Sequence, residues 1–231
     1  MRTLVLGDIH GCHKALQQVL ERSLFDYYND RLITLGDICD GWPETPECVD
    51  TLLKVRYHVA VRGNRDVYLH QYLKKKDTPD FWKKRMGKET IKAYQRTNKL
   101  DDPRHLALFE SQVSYFIDGE KRLYVHAGFD PGRKITKQKP VDLNQSRSLW
   151  FTLLEAQAFS EPFPSDVNEF TEVFIGHTQT TKYFPHDQPV HIHRVWNLDQ
   201  GVKSGGRLTI MDVDSKEYWQ SDPASTLYPQ T

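Results

Sequence analysis

No stretch of this 231-residue chain is apolar for long enough to span a bilayer, and the opening Met-Arg-Thr-Leu-Val-Leu holds only a three-residue apolar run before Gly7-Asp8. Neither a membrane span nor a signal peptide is therefore expected, and the sequence predicts a soluble, cytoplasmic protein. Net charge is also lacking: 31 Lys+Arg face 31 Asp+Glu. A chain with no overall field is not expected to bind nucleic acid stably. Cysteines number three, Cys12, Cys39 and Cys48, without CxxC spacing, so a disulfide framework or a zinc ribbon is excluded and reduced thiols are expected. Low-complexity tracts and 20–50-residue repeats are missing as well, which removes linkers and solenoids from consideration.

The chain does carry alternating strands and helices in its first third. Thr3–Leu6 reads as a strand, His13–Arg22 as a helix through Leu16, Val19 and Leu20, and Arg31–Leu35 as a strand. Pro46–Val55 follows as a helix with proline near its first turn, then Tyr57–Val61 as a third strand. Such alternation predicts parallel βαβ units whose strand C-termini share one edge. The second half is mostly strands: Val113–Ile117, Leu123–His126, Val173–Ile175, one strand over Val190–Trp196, and Leu208–Val213 turning at Asp214-Ser215 into Glu217–Gln220. The expected fold is α/β, a single domain over residues 1–231 with two packed sheets flanked by helices. It carries a helical, basic insertion at about 67–110 and a long cap-like connection at about 131–164, with one helix around Ser146–Phe159. The lysines of Lys74–Lys99 read as a solvated helix face, with a positive wall toward an anionic substrate as the alternative.

Chemistry concentrates where strands end. Gly7-Asp8-Ile9-His10-Gly11, Gly36-Asp37-Ile38-Cys39-Asp40 and Gly63-Asn64-Arg65-Asp66 close the first three strands, and His126-Ala127-Gly128 and Gly176-His177-Thr178 close two later ones. Open α/β sheets build their sites at such carboxyl ends. Carboxylates, an amide oxygen and neutral imidazoles form a mixed O/N donor set suited to Mn, Fe or Zn, and Asp37 has two oxygens with which to bridge two ions. GDIHGC is not GxGxxG and puts a carboxylate where a pyrophosphate would sit, which excludes a Rossmann dinucleotide site.

These five motifs together resemble the calcineurin-like metallophosphoesterases, and within them the bacterial phosphoprotein-phosphatase branch that also includes symmetrical dinucleoside-tetraphosphate hydrolases. GKETIKAY at 87–94, Ser148-Leu149-Trp150 and the closing NLDQG…GGRL around Asp199 and Gly206 add to the likeness, which runs from about residue 3 to 213. The resemblance implies a β-sandwich of two sheets between helical layers (the four-layer metallophosphoesterase fold) and a centre of two divalent metal ions, manganese first, with Fe, Zn, Ni or Mg as alternatives. Carried over, Asp8, His10 and the bridging Asp37 would hold one ion, and Asp37, Asn64, His126 and His177 the other. It implies a metal-dependent phosphatase acting on phosphorylated small molecules or phosphoproteins, with nucleotides as a further partner. The alternatives are a phosphodiesterase or dinucleotide pyrophosphohydrolase, and a catalytically impaired metal-bound binding protein.

Two positions depart from the pattern. The branch usually reads GDxxDRG, whereas this chain has Gly41-Trp42 after Asp40, so the arginine that would grip phosphate is replaced by glycine. The family usually reads GNHD or GNHE, its histidine protonating the leaving oxygen and oriented by the aspartate at position 40; here that position is Arg65, which holds its proton at any working pH. Asp37, Asp40 and Arg65 are the candidate catalytic residues, and Asn64, Arg65 and Arg147 the candidate substrate contacts. Arg65 could clamp phosphate with Asp40 or Asp66 as its ion-pair partner, could salt-bridge Asp40 and block the pocket, or could mark lost activity. Arg133 is a weaker phosphate candidate, Trp42 reads as structural or as an edge of the pocket, and Asp66 as a helix cap. His191 and His193 are expected exposed on one strand face, Cys39 a buried thiol, and Asp199 and Gly201 supports of a strand end.

Overall fold

The structure, a computed structural model, describes residues 1–229. In the first sheet, strands β1 (Thr3–Leu6), β2 (Arg31–Thr34) and β3 (Tyr57–Ala60) run parallel, and the order is β10-β9-β1-β2-β3. The second sheet has the order β4-β5-β6-β8-β7, built from β4 (Tyr115–Ile117), β5 (Leu123–Val125), β6 (Val173–Ile175), β7 (Val190–Ile192) and β8 (Val195–Asn197). The remaining strands, β9 (Thr209–Asp212) and β10 (Tyr218–Gln220), form the expected hairpin on the outer edge of the first sheet.

Side-chain alternation assigns the layers. In β1, Leu4 and Leu6 face the cluster packed under helices α1 (His13–Arg22) and α2 (Thr45–Leu52), whereas Val5 points between the sheets. Leu32 and Ile33 of β2, and Ile210 and Met211 of β9, divide the same way. In the second sheet Leu123, Val125, Val173 and Ile175 turn outward, while Tyr124 and Phe174 meet in the inter-sheet layer with ring centroids 5.1 Å apart. Because both faces of both sheets are covered, the central strands read as continuous apolar runs. The result is the two-sheet sandwich between helical layers that was expected.

Helices α3 (Asn64–Lys75), α4 (Lys88–Thr97) and α5 (Pro103–Ser111) fill the stretch after β3, with a π-helical turn at Trp82–Met86. Its basic side chains pair with nearby carboxylates: Lys83 and Lys84 with Asp80, Lys92 with Glu89, Arg96 with Glu47, Lys74 with Glu110. None of them lines the central cleft, so the solvated-face reading describes them. Helices α6 (Pro140–Gln145), α7 (Ser148–Phe159) and α8 (Ala224–Leu227) complete the set, the long connection holding two helices where one was expected. Among the described residues no helix is long and apolar enough to cross a membrane.

One expected strand is two. Val190–Trp196 folds as a hairpin whose last ladder pair is Ile192↔Val195, with His193 in the left-handed region at φ 54°. Period-2 alternation holds through Val190-His191-Ile192-His193 and breaks at the polar pair His193-Arg194, and with neither glycine nor proline there that break is the one local sign of the turn. The two histidines therefore do not share a strand face. His191 stacks on Trp196, and His193 lies 2.9 Å from the Asn168 Oδ1 and stacks on Phe163.

Tyr124 and Phe174, cross-strand neighbours on β5 and β6, turn their stacked rings into the layer against Val5, Ile33 and Met211 of the first sheet. Phe174→Ala is expected to lower unfolding stability by about 3–5 kcal/mol in a denaturant titration; a change under about 1 kcal/mol would show that the inter-sheet layer does not depend on this ring.

Candidate metal centre

The carboxyl ends of β1, β2 and β3 meet those of β5 and β6, and the five motifs converge there. Oxygen and nitrogen atoms of Asp8, His10 and Asp37 lie within 4.8 Å of one another, and so do those of Asp37, His126 and His177. Asp37 belongs to both groups. His10 Nε2 sits 3.7 Å from an Asp8 oxygen and 3.7 Å from an Asp37 oxygen. His126 Nε2 sits 3.4 Å from the other Asp37 oxygen and 3.3 Å from Asn64 Oδ1.

Each imidazole is held by its far nitrogen. His126 Nδ1 lies 2.8 Å from the Leu35 carbonyl, His10 Nδ1 2.9 Å from the Asp40 carbonyl, and His177 Nε2 3.1 Å from the Gln145 carbonyl. A carbonyl only accepts, so these nitrogens carry the proton and the opposite ones turn their lone pairs inward. That leaves three imidazole lone pairs, two carboxylates and an amide oxygen facing one small volume. Asp8 and Asp37 are each only 2% exposed, and the nearest guanidinium nitrogen, Arg65 Nε, is 3.9 Å from Asp37. Buried charge of one sign needs a counter-charge; the donor set fits two divalent cations sharing Asp37.

Backbone strain marks the same residues. His10, Asp37, Asp40 and His177 all adopt positive φ, at 52°, 48°, 70° and 64°, a conformation that costs non-glycine residues free energy. Glycines make the close approaches. A Cβ on Gly63 would stand 2.2 Å from Asp37 Oδ1, and one on Gly176 2.1 Å from Asp8 Oδ1. The backbone N–H of His177 donates to both Asp8 oxygens at 3.2 Å, and that of Arg65 to Asp37 at 2.8 Å.

Asp66 is a staple as well as a helix cap. Fully buried, it accepts from the backbone N–H groups of Gly63 (3.1 Å) and Ile38 (2.8 Å) and from the Gln112 amide (2.8 Å), tying the β3 turn to the β2 turn. Burial, reinforced by Asp37, pushes its carboxyl up to about 6. Asp40 is likewise sealed: the Trp82 indole donates at 2.6 Å and the Thr90 hydroxyl at 3.0 Å. Trp82 comes from the π-helical turn and Thr90 from the GKETIKAY stretch, and a Cβ on Gly87 would strike the Trp82 ring at 2.3 Å.

Neither expected partner of Arg65 therefore serves it. The oxygens of Asp40 and Asp66 are bound elsewhere, and the Arg65 guanidinium reaches the Met86 thioether and approaches Asp37 instead. Its side chain, 21% exposed, lines the cleft without sealing it. That cleft encloses about 290 Å³ and is lined by His10, Asp37, Asn64, Arg65, His177 and Asp199, with Arg147, Lys182 and Lys203 around them. Arg147 thus stands at the cleft, whereas Arg133 does not line it. Trp42 is structural: its indole donates to the Val202 carbonyl at 2.8 Å and its ring stacks on Tyr228. Cys39 is fully buried, and burial pushes its thiol well above the ordinary value. Asp199 accepts from the Gly201 N–H at 3.0 Å and is raised to about 7 by burial and by Asp8. The sequence reading missed Trp82 and Lys203; the only local sign of Lys203 was its place just after the closing NLDQG stretch.

The calcineurin-like phosphoesterase family model matches residues 1–199. A symmetrical bis(5'-nucleosyl)-tetraphosphatase of Pseudomonas entomophila (strain L48) is 26% identical over 96% of this chain and 94% of that protein. The enzyme of the same name from Pseudomonas fluorescens (strain SBW25) is 32% identical over 57% of this chain, a match spanning only 44% of the relative's length. A solved structure provisionally named a diadenosine tetraphosphatase superposes with a TM-score of 0.67, covering 95% of this chain and 92% of that one; at 17% identity the likeness is one of fold alone.

Protons and metal compete for these imidazoles. Burial alone would lower His10 and His126, but Asp8 and Asp37 outweigh it and raise both, whereas burial and the neighbouring His126 push His177 down to about 3. Raised pKa values mean that two of the three lone pairs fill with protons as pH falls. Calorimetric titration with Mn²⁺ is expected to show weaker binding and more protons released at pH 6 than at pH 8. Affinity equal at both would contradict the placement of His10 and His126 as ligands.

Proposed function

The chain belongs to the calcineurin-like phosphoesterase family and is a metal-dependent phosphoesterase; from that premise we propose that it hydrolyses phosphate compounds whose leaving group departs without a proton. Phosphoanhydrides of the dinucleoside polyphosphate type, and aryl esters, are the favoured substrates over alkyl monoesters such as phosphoserine. The ligands are Asp8, His10 and Asp37 for one divalent ion and Asp37, Asn64, His126 and His177 for the other, as the two overlapping donor groups support. Ions bound there would supply Lewis acidity, drawing charge from the phosphoryl oxygens and making water acidic enough to attack in line.

The observation that carries the substrate preference is Arg65. It stands beside Asp37 in the cleft, at the position where the resembled enzymes place their proton-donating histidine. A guanidinium cannot give up its proton, but it can hold an anionic oxygen with two parallel N–H groups. Its backbone N–H is fixed on Asp37, so the side chain starts from a rigid point. Asp40, held by Trp82 and Thr90 in a site 1% exposed, positions this wall and does not reach substrate. Losing an acid catalyst costs about 10²–10⁴-fold where the leaving alkoxide must be protonated. It costs little where a phosphate leaves, since a terminal phosphate has its second pKa near about 6 and departs as a stable anion. The tetraphosphatase activity in the names of the two Pseudomonas relatives is of that kind. Arg147 and Lys182, exposed along the same cleft, suit the further phosphates of such a chain.

Rates with Mn²⁺ on diadenosine tetraphosphate, nitrophenyl phosphate, phenyl phosphate and a phosphoserine peptide test this. The tetraphosphate and nitrophenyl ester should turn over, and the peptide should lag far behind. In Arg65→His the ratio of peptide to nitrophenyl rates should rise by roughly 10²-fold. An unchanged ratio would sink the missing-donor argument. Absence of any turnover at full metal occupancy would leave a metal-bound binding protein instead.

A further inference from the structure

Lys203 has a fixed backbone and a free charge. It lies in the turn Val202–Ser204 between two glycines in the left-handed region, Gly201 at φ 78° and Gly205 at 92°. Three side chains pin that turn. The Trp42 indole donates to the Val202 carbonyl at 2.8 Å, Gln179 and Ser204 bond each other at 3.0 Å, and Asp199 accepts from the Gly201 N–H. The half-buried Lys203 side chain lines the cleft, yet among the described residues its ammonium has neither a hydrogen-bond nor an ion-pair partner. Burial and the nearby Arg65 push the amine below its ordinary value and outweigh the opposing pull of Asp37 and Asp40, so the folded chain holds two cations together at a cost. An anion entering the cleft would relieve the repulsion between these two cations.

The missing arginine sharpens this. Position 41 has no room for a side chain, because a Cβ there would stand 2.8 Å from the His10 carbonyl oxygen and 2.9 Å from its Cβ. A phosphate grip cannot come from that loop. The neighbouring Trp42 instead anchors the turn that carries Lys203.

We propose that Lys203 binds a non-bridging oxygen of the phosphoryl group at the metal centre, working with Arg65 in place of the arginine that position 41 cannot hold. It is a substrate-binding lysine, and its ligand is a phosphate dianion or the end of a phosphate chain. The proposal rests on the reading of the cleft as a phosphate site, but it does not depend on which ester or anhydride is cleaved.

Binding of inorganic phosphate to the Mn²⁺-loaded protein, followed by calorimetry, tests it without turnover. Lys203→Met is expected to weaken phosphate binding at least about tenfold, the size of one charge-assisted hydrogen bond, with manganese content unchanged. Lys203→Arg should recover most of the loss, which a purely structural role would not allow. Should the methionine variant fail to fold, Lys203→Gln carries the same expectation. Phosphate binding as tight in a folded, metal-loaded Lys203→Met or Lys203→Gln as in the parent overturns the role of Lys203. No phosphate binding by the parent protein overturns the phosphate site together with it. Normal phosphate binding with no hydrolysis of the tetraphosphate would count only against the proposed function.

Discussion

The arrangement depends on one buried carboxylate. Asp37 is shared by two donor groups, stands within 4 Å of His10, His126 and Arg65, and is held at φ 48° against Gly63. Burial works against its charge, and His126 and His10, when protonated, overcome that and hold its carboxyl below the usual carboxylate range. Everything else about the edge serves this. The parallel register of β1, β2 and β3 brings Asp8, Asp37 and Asn64 level, and that of β5 and β6, where Tyr124 pairs with Phe174, brings His126 and His177 together with ring centroids 4.9 Å apart. Asp66 then ties the two turns that flank Asp37.

How much of this was legible in the sequence follows from the range of the interactions. Strand-end motifs were readable because a strand, a glycine and a ligand are neighbours in the chain, and because βαβ alternation puts such ends on one edge. Asp66 as a cap was local too. The turn at His193 was marked only by a break in alternation at His193-Arg194, since its residues carry no turn chemistry and the hairpin is fixed by pairing between β7 and β8. The partners of Asp40 lie 42 and 50 residues away at Trp82 and Thr90, and the freedom of Lys203 depends on which carboxylates are out of reach. Contacts of that kind exist only once the layers have packed. For the same reason the pairing of Arg65 with Asp40 or Asp66 looked natural by spacing, yet both carboxylates are consumed by other donors.

The two departures from the family pattern then read as one redistribution of charge. Glycine at 41 frees the approach to His10 and leaves that loop without a cation, while Arg65 and Lys203 bring two cations from α3 and from the closing turn. Under the proposed function, the site gains grip on phosphoryl oxygens and loses a proton donor. The leaving-group preference we propose follows from that reading, in which transition-state charge is stabilised on one side of the phosphorus and left unassisted on the other. Trp42 and Trp82 support the two halves of this change, one under the Lys203 turn and the other against Asp40.

The central claim is that Asp37 joins two metal ions. A crystal structure of the Mn²⁺-loaded protein with anomalous data collected at the manganese edge would test it most directly. Two anomalous peaks are predicted, both in contact with Asp37, one reached by Asp8 and His10 and the other by Asn64, His126 and His177. A single peak, or two that do not share Asp37, would contradict the account.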